Sequence, residues 1–255
     1  MNFINIAKLM GVVLPVCVVA YSQGGYCSDN METNTQSFSV KLGASRVIFD
    51  PASNGTTLTV TNPQDYPMLV QSQTFAEDMK NKAPFVVTPP LMRLDGQQQS
   101  RLRIIRAGGA FAEDQESLQW LCVKGIPPKA DDEWAKSEGG DSAKKVSLNL
   151  QVSINNCIKL LVRPASLKGS PDDAAALINW KIRDGKLEGT NNSAFYMNLS
   201  SLTVGGQKIG SAGYIPPFSS KKFESINKGV GGSVQWKIIN DYGGESRSYY
   251  ADLKS

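Results

Sequence analysis

The stretch Val146-Ser-Leu-Asn-Leu-Gln-Val-Ser-Ile-Asn-Asn-Cys-Ile-Lys-Leu-Leu-Val-Arg-Pro164 decides how the rest of the chain is read. Its first part alternates without a slip, with Val146, Leu148, Leu150, Val152 and Ile154 on one side and Ser147, Asn149, Gln151 and Ser153 on the other. Successive side chains of a strand point to opposite faces, so a period of two predicts a β-strand with one apolar and one polar face. The apolar run continues through Ile158, Leu160, Leu161 and Val162 until Pro164 stops it. As a single strand, residues 146–162 would extend roughly 56 Å, whereas an ordinary strand has about 5–6 residues. One small sheet does not need such a strand, which raises the question whether two folds share it. An exposed apolar edge of that length invites pairing with another chain. An ordinary strand over its own core is the alternative, and composition does not separate the two.

The 255 residues suit a leader followed by two domains of roughly 100 residues each, or by one larger domain. A formal charge of +4 is too mild for a nucleic-acid binder. The chain has no histidine, which removes His-based triads, His-ligated metals and His general bases. Residues 1–22 read as a secretory signal: polar residues and Lys8, then an apolar run from Leu9 to Ala20, then Ala20-Tyr21-Ser22 as a cleavage site. That run is too short to span a membrane comfortably, so the mature protein is expected not to be membrane-embedded. The leader directs the mature chain to a compartment where disulfides persist. Of four cysteines, Cys17 leaves with the leader and Cys27 lies in a polar segment, Gln23 to Gln36, that reads as disordered. Cys122 and Cys157 lie inside strand-like runs; they form either a bridge or two buried free thiols, and a bridge would stabilise by about 4 kcal/mol.

Strand signals recur about every ten residues: Ser37 to Leu42, Arg46 to Asp50, Thr56 to Thr61, Met68 to Phe75, short pieces between Pro84 and Leu94, Arg101 to Arg106, Leu118 to Ile126, and then the central stretch. Glu77 to Lys82 is charged and reads as solvated, and residues 129–145 read as a mobile charged loop. Pro164 to Asp173 reads as a linker, after which short β-rich runs resume, from Ala176 to Ile182 through to Ser246 to Leu253. Turn clusters separate these runs and no helical periodicity stands out. The expectation is an all-β chain of two tandem immunoglobulin-like β-sandwich domains, residues 23–163 and 164–255.

Signatures of catalysis are missing. Asp131, Asp132 and Glu133 sit in the charged loop and read as solvated surface. Gly205-Gly-Gln-Lys-Ile-Gly210 lacks the spacing of a phosphate-binding loop, and Gly43-Ala-Ser-Arg46 fails the nucleophile-elbow pattern. No metal-ligand set and no cofactor motif are present. A binding protein, not an enzyme, is the better-supported class.

Several motifs, taken in order, resemble the periplasmic pilus-chaperone (PapD-like) family: Asn62-Pro-Gln-Asp-Tyr-Pro67, Leu69-Val-Gln-Ser-Gln73, Thr88-Pro-Pro-Leu-Met-Arg-Leu94, Gln115-Glu-Ser-Leu-Gln-Trp-Leu-Cys-Val-Lys-Gly-Ile-Pro-Pro128, Ile158-Lys-Leu-Leu-Val-Arg-Pro164 and Ile239-Asn-Asp-Tyr-Gly-Gly244. The cysteine pair flanking a long loop and the five-membered apolar run resemble the long-loop subclass, of the kind that serves the Yersinia capsule antigen. The resemblance covers nearly the whole mature chain, from about Phe38 onward. It implies a boomerang of two immunoglobulin-like domains, a periplasmic location, a fibre or capsule-like subunit as cargo and an outer-membrane usher as the receiving partner.

By the same resemblance, Arg46 and Lys159 match the two cleft cations that bind the subunit's C-terminal carboxylate. Two cations on one carboxylate make strong charge-assisted hydrogen bonds; without the resemblance both would read as surface charges. Val146, Leu148, Leu150, Val152 and Ile154 match the donor residues that fill a subunit's open groove, the donor-strand mode of β-augmentation. Phe38, Val40 and Leu42 are expected to meet that groove from the other edge, and the bare donor edge could also self-associate. Thr88-Pro89 matches a position where the family has a cis proline. The alternative is a secreted two-domain adhesin, separable by whether co-expression with a candidate subunit yields a stoichiometric soluble complex.

Overall fold

The alternating run at the centre of the chain divides at Ile154. In the computed structural model, which describes residues 32–128, 147–210, 213–225 and 232–253, Ser147–Ser153 and Asn155–Val162 are two strands in different sheets. Ile154 makes the corner: its N–H donates to the Phe38 carbonyl (3.1 Å), and its carbonyl accepts from the Gly125 N–H (3.3 Å). The single long strand expected from the sequence is corrected to two. The leader, Cys27, the loop 129–145 and Val146 lie outside the described residues.

The first half contains β1 (Glu32–Phe38), β2 (Lys41–Leu42), β3 (Arg46–Phe49), β4 (Thr56–Thr61), β5 (Met68–Ala76), β6 (Phe85–Thr88), β7 (Leu91–Leu94), β8 (Gln99–Arg106), β9 (Ser117–Ile126), β10 (Ser147–Ser153) and β11 (Asn155–Val162). Sheets β3-β11-β9-β5-β7 and β2-β4-β8-β6 pack face to face over a core that includes Phe49, Leu102, Leu121 and Leu160. β1 and β10 form a separate parallel ribbon of two strands. The polar segment expected to be disordered therefore ends in a strand, because backbone pairing needs no apolar pattern.

β11 explains why Leu160-Leu161-Val162 does not alternate. Leu160 and Val162 face the sandwich core, while Leu161 packs with Leu118 and Tyr196, the last of these from the second half. Both faces of the strand are covered, and a strand buried on both faces is apolar throughout.

The second half contains α1 (Pro171–Ala175), β12 (Asn179–Arg183), β13 (Lys186–Asn191), β14 (Met197–Val204), β15 (Gln207–Lys208), β16 (Tyr214–Ile215), β17 (Ser219–Ser225), β18 (Ser233–Ile238) and β19 (Tyr249–Asp252). Sheet β12-β13-β17 faces sheet β15-β14-β18-β19, with β16 added to β14. In their core Trp180 packs tilted against Trp236 (5.5 Å between centroids), which stacks on Tyr249 (5.8 Å). The helix lies at the end of the stretch read as a linker, so the following strand begins at Asn179 and not at Ala176. Ser170 caps it by accepting from the Asp173 N–H (3.3 Å), and Pro171 occupies the first turn, where its missing N–H is harmless.

The two sandwiches share a device that the sequence did not show as a repeat. Buried Asn62 donates to the carbonyls of Tyr66, Leu94 and Asp95 while accepting from the Gln64 N–H. Buried Asn191 donates to the carbonyls of Phe195, Ile215 and Pro216 while accepting from the Ser193 N–H. Each asparagine satisfies loop carbonyls that would otherwise be buried unpaired.

Arg163 joins the two halves. Its guanidinium bonds Glu116 Oε1 (2.6 Å) and, with two N–H groups, both Asp241 oxygens (2.6 and 2.7 Å). Glu116 also accepts from the Tyr196 N–H (2.7 Å). Burial pushes the Glu116 carboxyl up, opposed by Arg163 and the Tyr196 N–H.

Cys122 and Cys157 stand opposite one another on β9 and β11 and are bonded, 35 positions apart in sequence. Thr88-Pro89 is cis. Replacing both cysteines with alanine should destabilise the folded chain by roughly 2–4 kcal/mol. A denaturant midpoint unchanged from wild type would show that the bridge contributes nothing.

Candidate functional site

Strand register sets the site. Arg46 on β3 is paired with Lys159 on β11, Lys159 with Trp120 on β9, and Trp120 with Phe75 on β5. Directly paired residues share a sheet face, so these four form one row. The next row on that face, Ile48, Leu161 and Leu118, is apolar and packs against Tyr196. The second domain thus covers one end of the face and leaves the cationic row at the edge of that cover.

Arg46 is buried. One guanidinium nitrogen donates to the Ile239 carbonyl of the second domain (2.9 Å), while its Nε is buried without a hydrogen-bond partner. An unpaired buried donor of this kind costs about 1–3 kcal/mol. Burial lowers the Arg46 pKa, partly offset by the charges of Asp241 and Glu116. Lys159 directs its ammonium to Asn198 Oδ1 (2.5 Å) and holds it 5.0 Å from the Tyr214 ring centroid and 5.8 Å from that of Trp120. Burial, then the charges of Arg46 and Lys221, bring its pKa down to about 8. Both charges acting on Lys159 are cations. The row sets two cations side by side.

The apolar side of β10 stands apart from either core. Leu150 is 50% and Val152 39% exposed, and the ribbon pairs Thr35 with Leu150 and Ser37 with Val152 on that same side. A two-stranded ribbon is marginal on its own, and exposed aliphatic residues in line along an edge favour a covering partner.

Models of two families match the chain: the pili and flagellar-assembly chaperone PapD N-terminal domain over residues 39–168, and the pili assembly chaperone PapD C-terminal domain over residues 173–250. The chain belongs to the PapD family of pilus-assembly chaperones. It is 53% identical to chaperone protein AfaB of Escherichia coli over 86% of this chain and 89% of that one. It is 48% identical to chaperone protein caf1M of Yersinia pestis over 84% and 86% respectively. Among solved structures it is similar to the Escherichia coli chaperone DraB, with a TM-score of 0.76, 56% identity and coverage of 88% of this chain and 100% of that one. It is also similar to the SafB chaperone of Salmonella enterica in complex with the SafA pilin, with a TM-score of 0.76, 45% identity and the same coverage.

In this chaperone the residues expected at the site fall into three groups. Arg46 and Lys159 are brought side by side, and neither is the surface charge that composition alone suggested. Leu150 and Val152 are exposed on β10 and Ile154 sits half-buried at the corner; Leu148 lies in β10, with only its backbone described. Phe38, Val40 and Leu42 are a correction. Phe38 and Val40 are buried in the first domain's own core and Leu42 packs against it, with the Phe38 ring 5.0 Å from Tyr66. Phe38 pairs with Ser153, on the face of the ribbon opposite Val152, so the first strand meets the apolar side with Thr35 and Ser37 instead. Asn198, Trp120 and Tyr214 complete the surroundings of Lys159 and carried no signal in the sequence, since their nearness is purely tertiary.

The sign of the Lys159 shift gives a stability prediction. Its folded pKa of about 8 lies below the ordinary 10.5, so the folded state carries an unfavourable buried charge below pH 8 and sheds it as pH rises toward 10.5. Lys159→Met in the isolated protein should therefore melt higher than wild type at about pH 7, with the gap narrowing near pH 10. Melting curves that differ equally at both pH values would contradict the burial of the charge.

Proposed function

We propose that the chain is a periplasmic, non-enzymatic chaperone that binds a fibre or capsule-like surface subunit by lending it β10, anchors the subunit's C-terminal carboxylate on Arg46 and Lys159, and delivers it to an outer-membrane usher. One observation carries the reading: a single run of chain leads from exposed Leu150 and Val152, across the corner at Ile154, to Lys159 paired with Arg46. A partner strand whose last residue ends at Lys159 and whose body lies along β10 must run parallel to β10, as β1 does on the other side. Backbone bonds along that edge are indifferent to sequence, so the alternating aliphatic side chains supply selectivity by entering the partner's groove. Each such side chain fully buried adds about 1.5–3 kcal/mol before association costs are subtracted.

One further feature supports the reading. The Cys122–Cys157 bond suits an oxidising compartment. No helix among the described residues is long and apolar enough to cross a membrane. When the chaperone is empty, the bare edge of β10 is open to a second copy of the chain.

Arg46→Ala and Lys159→Ala should each abolish accumulation of the cognate subunit in the periplasm, and normal fibre yield from either variant would refute the anchor. Val152→Asp should block complex formation while leaving the melting temperature of the isolated chaperone unchanged, because Val152 lies in neither core. A stoichiometric complex with that variant would exclude β10 as the donor.

A further inference from the structure

The turn after β5 read as a solvated charged segment, yet its first residue reaches across to the second domain. The turn is closed by the Ala76 N–H to the Asn81 carbonyl (2.8 Å) and the Met79 N–H to the Ala76 carbonyl (2.9 Å). The Asp78 carboxylate accepts from the Lys80 and Asn81 N–H groups (2.9 and 3.0 Å), and Met79 takes a φ of 59°. Glu77 is thus presented on a fixed backbone. Its carbonyl accepts from Trp120 Nε1 (3.2 Å), and its carboxylate accepts from the hydroxyls of Tyr214 (3.1 Å) and Tyr196 (3.3 Å). Trp120 and Tyr214 are the two rings beside the Lys159 ammonium, one from each domain.

We propose that Glu77 is a positioning residue for the carboxylate anchor, holding Trp120 and Tyr214 against Lys159 and tying the domains together on the aromatic side of the cleft. The inference rests on the reading of Arg46 and Lys159 as that anchor. The first tie, Arg163 with Glu116 and Asp241, fixes the domains along the apolar row. Two ties at separate points remove the rotation that one tie would allow. Glu77 directs its carboxylate to phenols and not to the ammonium, so Lys159 keeps its charge for an incoming anion. Burial, with the Glu77 charge and hydrogen bond added, raises the Tyr214 phenol to about 12 and keeps it a donor at neutral pH. The face of an aromatic ring attracts a cation, so a displaced Tyr214 would leave the lysine side chain free to sample other rotamers.

The test compares two forms of one synthetic extended peptide of alternating valine and threonine, the C-terminal acid and the C-terminal amide, on the full chain. Wild type should prefer the acid by about tenfold or more, the scale of a hydrogen bond to a charged group. Absence of that preference in wild type would sink the anchor reading itself. Glu77→Ala and Tyr214→Phe should each reduce the preference about three- to tenfold while leaving amide affinity unchanged, and the double variant should be no worse than either single. Glu77→Gln retains one acceptor oxygen and should fall between wild type and alanine. A wild-type preference in Glu77→Ala, an equal loss for acid and amide, or single effects that multiply in the double variant would each overturn the role given to Glu77.

Discussion

Two like charges placed side by side are the constraint from which the rest of this structure follows. The parallel pairing of β3 with β11 sets Arg46 against Lys159, and burial under the second domain removes much of the water that would screen them. Burial lowers the pKa of both side chains, and the Arg46 charge lowers that of Lys159 further. The fold tolerates this because other contacts hold the strands. β11 is gripped by β9 along its whole length, cross-linked at Cys157 and covered on both faces. On the proposed anchor role, a subunit's carboxylate would relieve this repulsion when it arrives.

The same strand run serves a second purpose because it changes sheets at one residue. Up to Ser153 the chain pairs only with β1, outside the sandwich; from Asn155 it pairs with β9, inside it. The corner depends on the Ile154 bonds to Phe38 and Gly125 and on the close approach of backbones there. A methyl group on Gly125 would come within 2.5 Å of the Phe38 carbonyl oxygen. The residue beneath the corner must be glycine for the ribbon to leave the sandwich where it does.

The sequence announced strands wherever one face is buried and the other wet, as at Thr56 to Thr61 and Arg101 to Arg106. It was silent on β1, whose Glu32-Thr-Asn-Thr-Gln-Ser37 holds its place through backbone bonds that any side chains permit. It also hid the corner at Ile154, because the side-chain pattern runs on unchanged while the pairing partner switches. Alternation at Phe38, Val40 and Leu42 shows that these residues share a face but not whose core lies beneath it, which is why they belong to the first domain and not to a partner. Arg46 and Lys159 were reached through family resemblance, since nothing local distinguishes them from surface charges. Glu77, Asn198 and Tyr214 could not be reached at all: they meet Lys159 or its flanking rings through contacts between residues 39 to 137 positions apart.

The cross-link between Cys122 and Cys157 has a mechanical meaning. On the proposed donor role, a subunit leaving β10 would pull on the ribbon, and β1 and β10 are joined by hydrogen bonds that can open one after another like a zip. That opening would otherwise run on from β10 into β11 and strip the strand that carries Lys159. The covalent bond, two residues before Lys159 in the chain, ends the run. On that proposal, load applied to β10 would pass into β9 at the centre of the sheet, and the cleft would keep its shape as cargo is torn away.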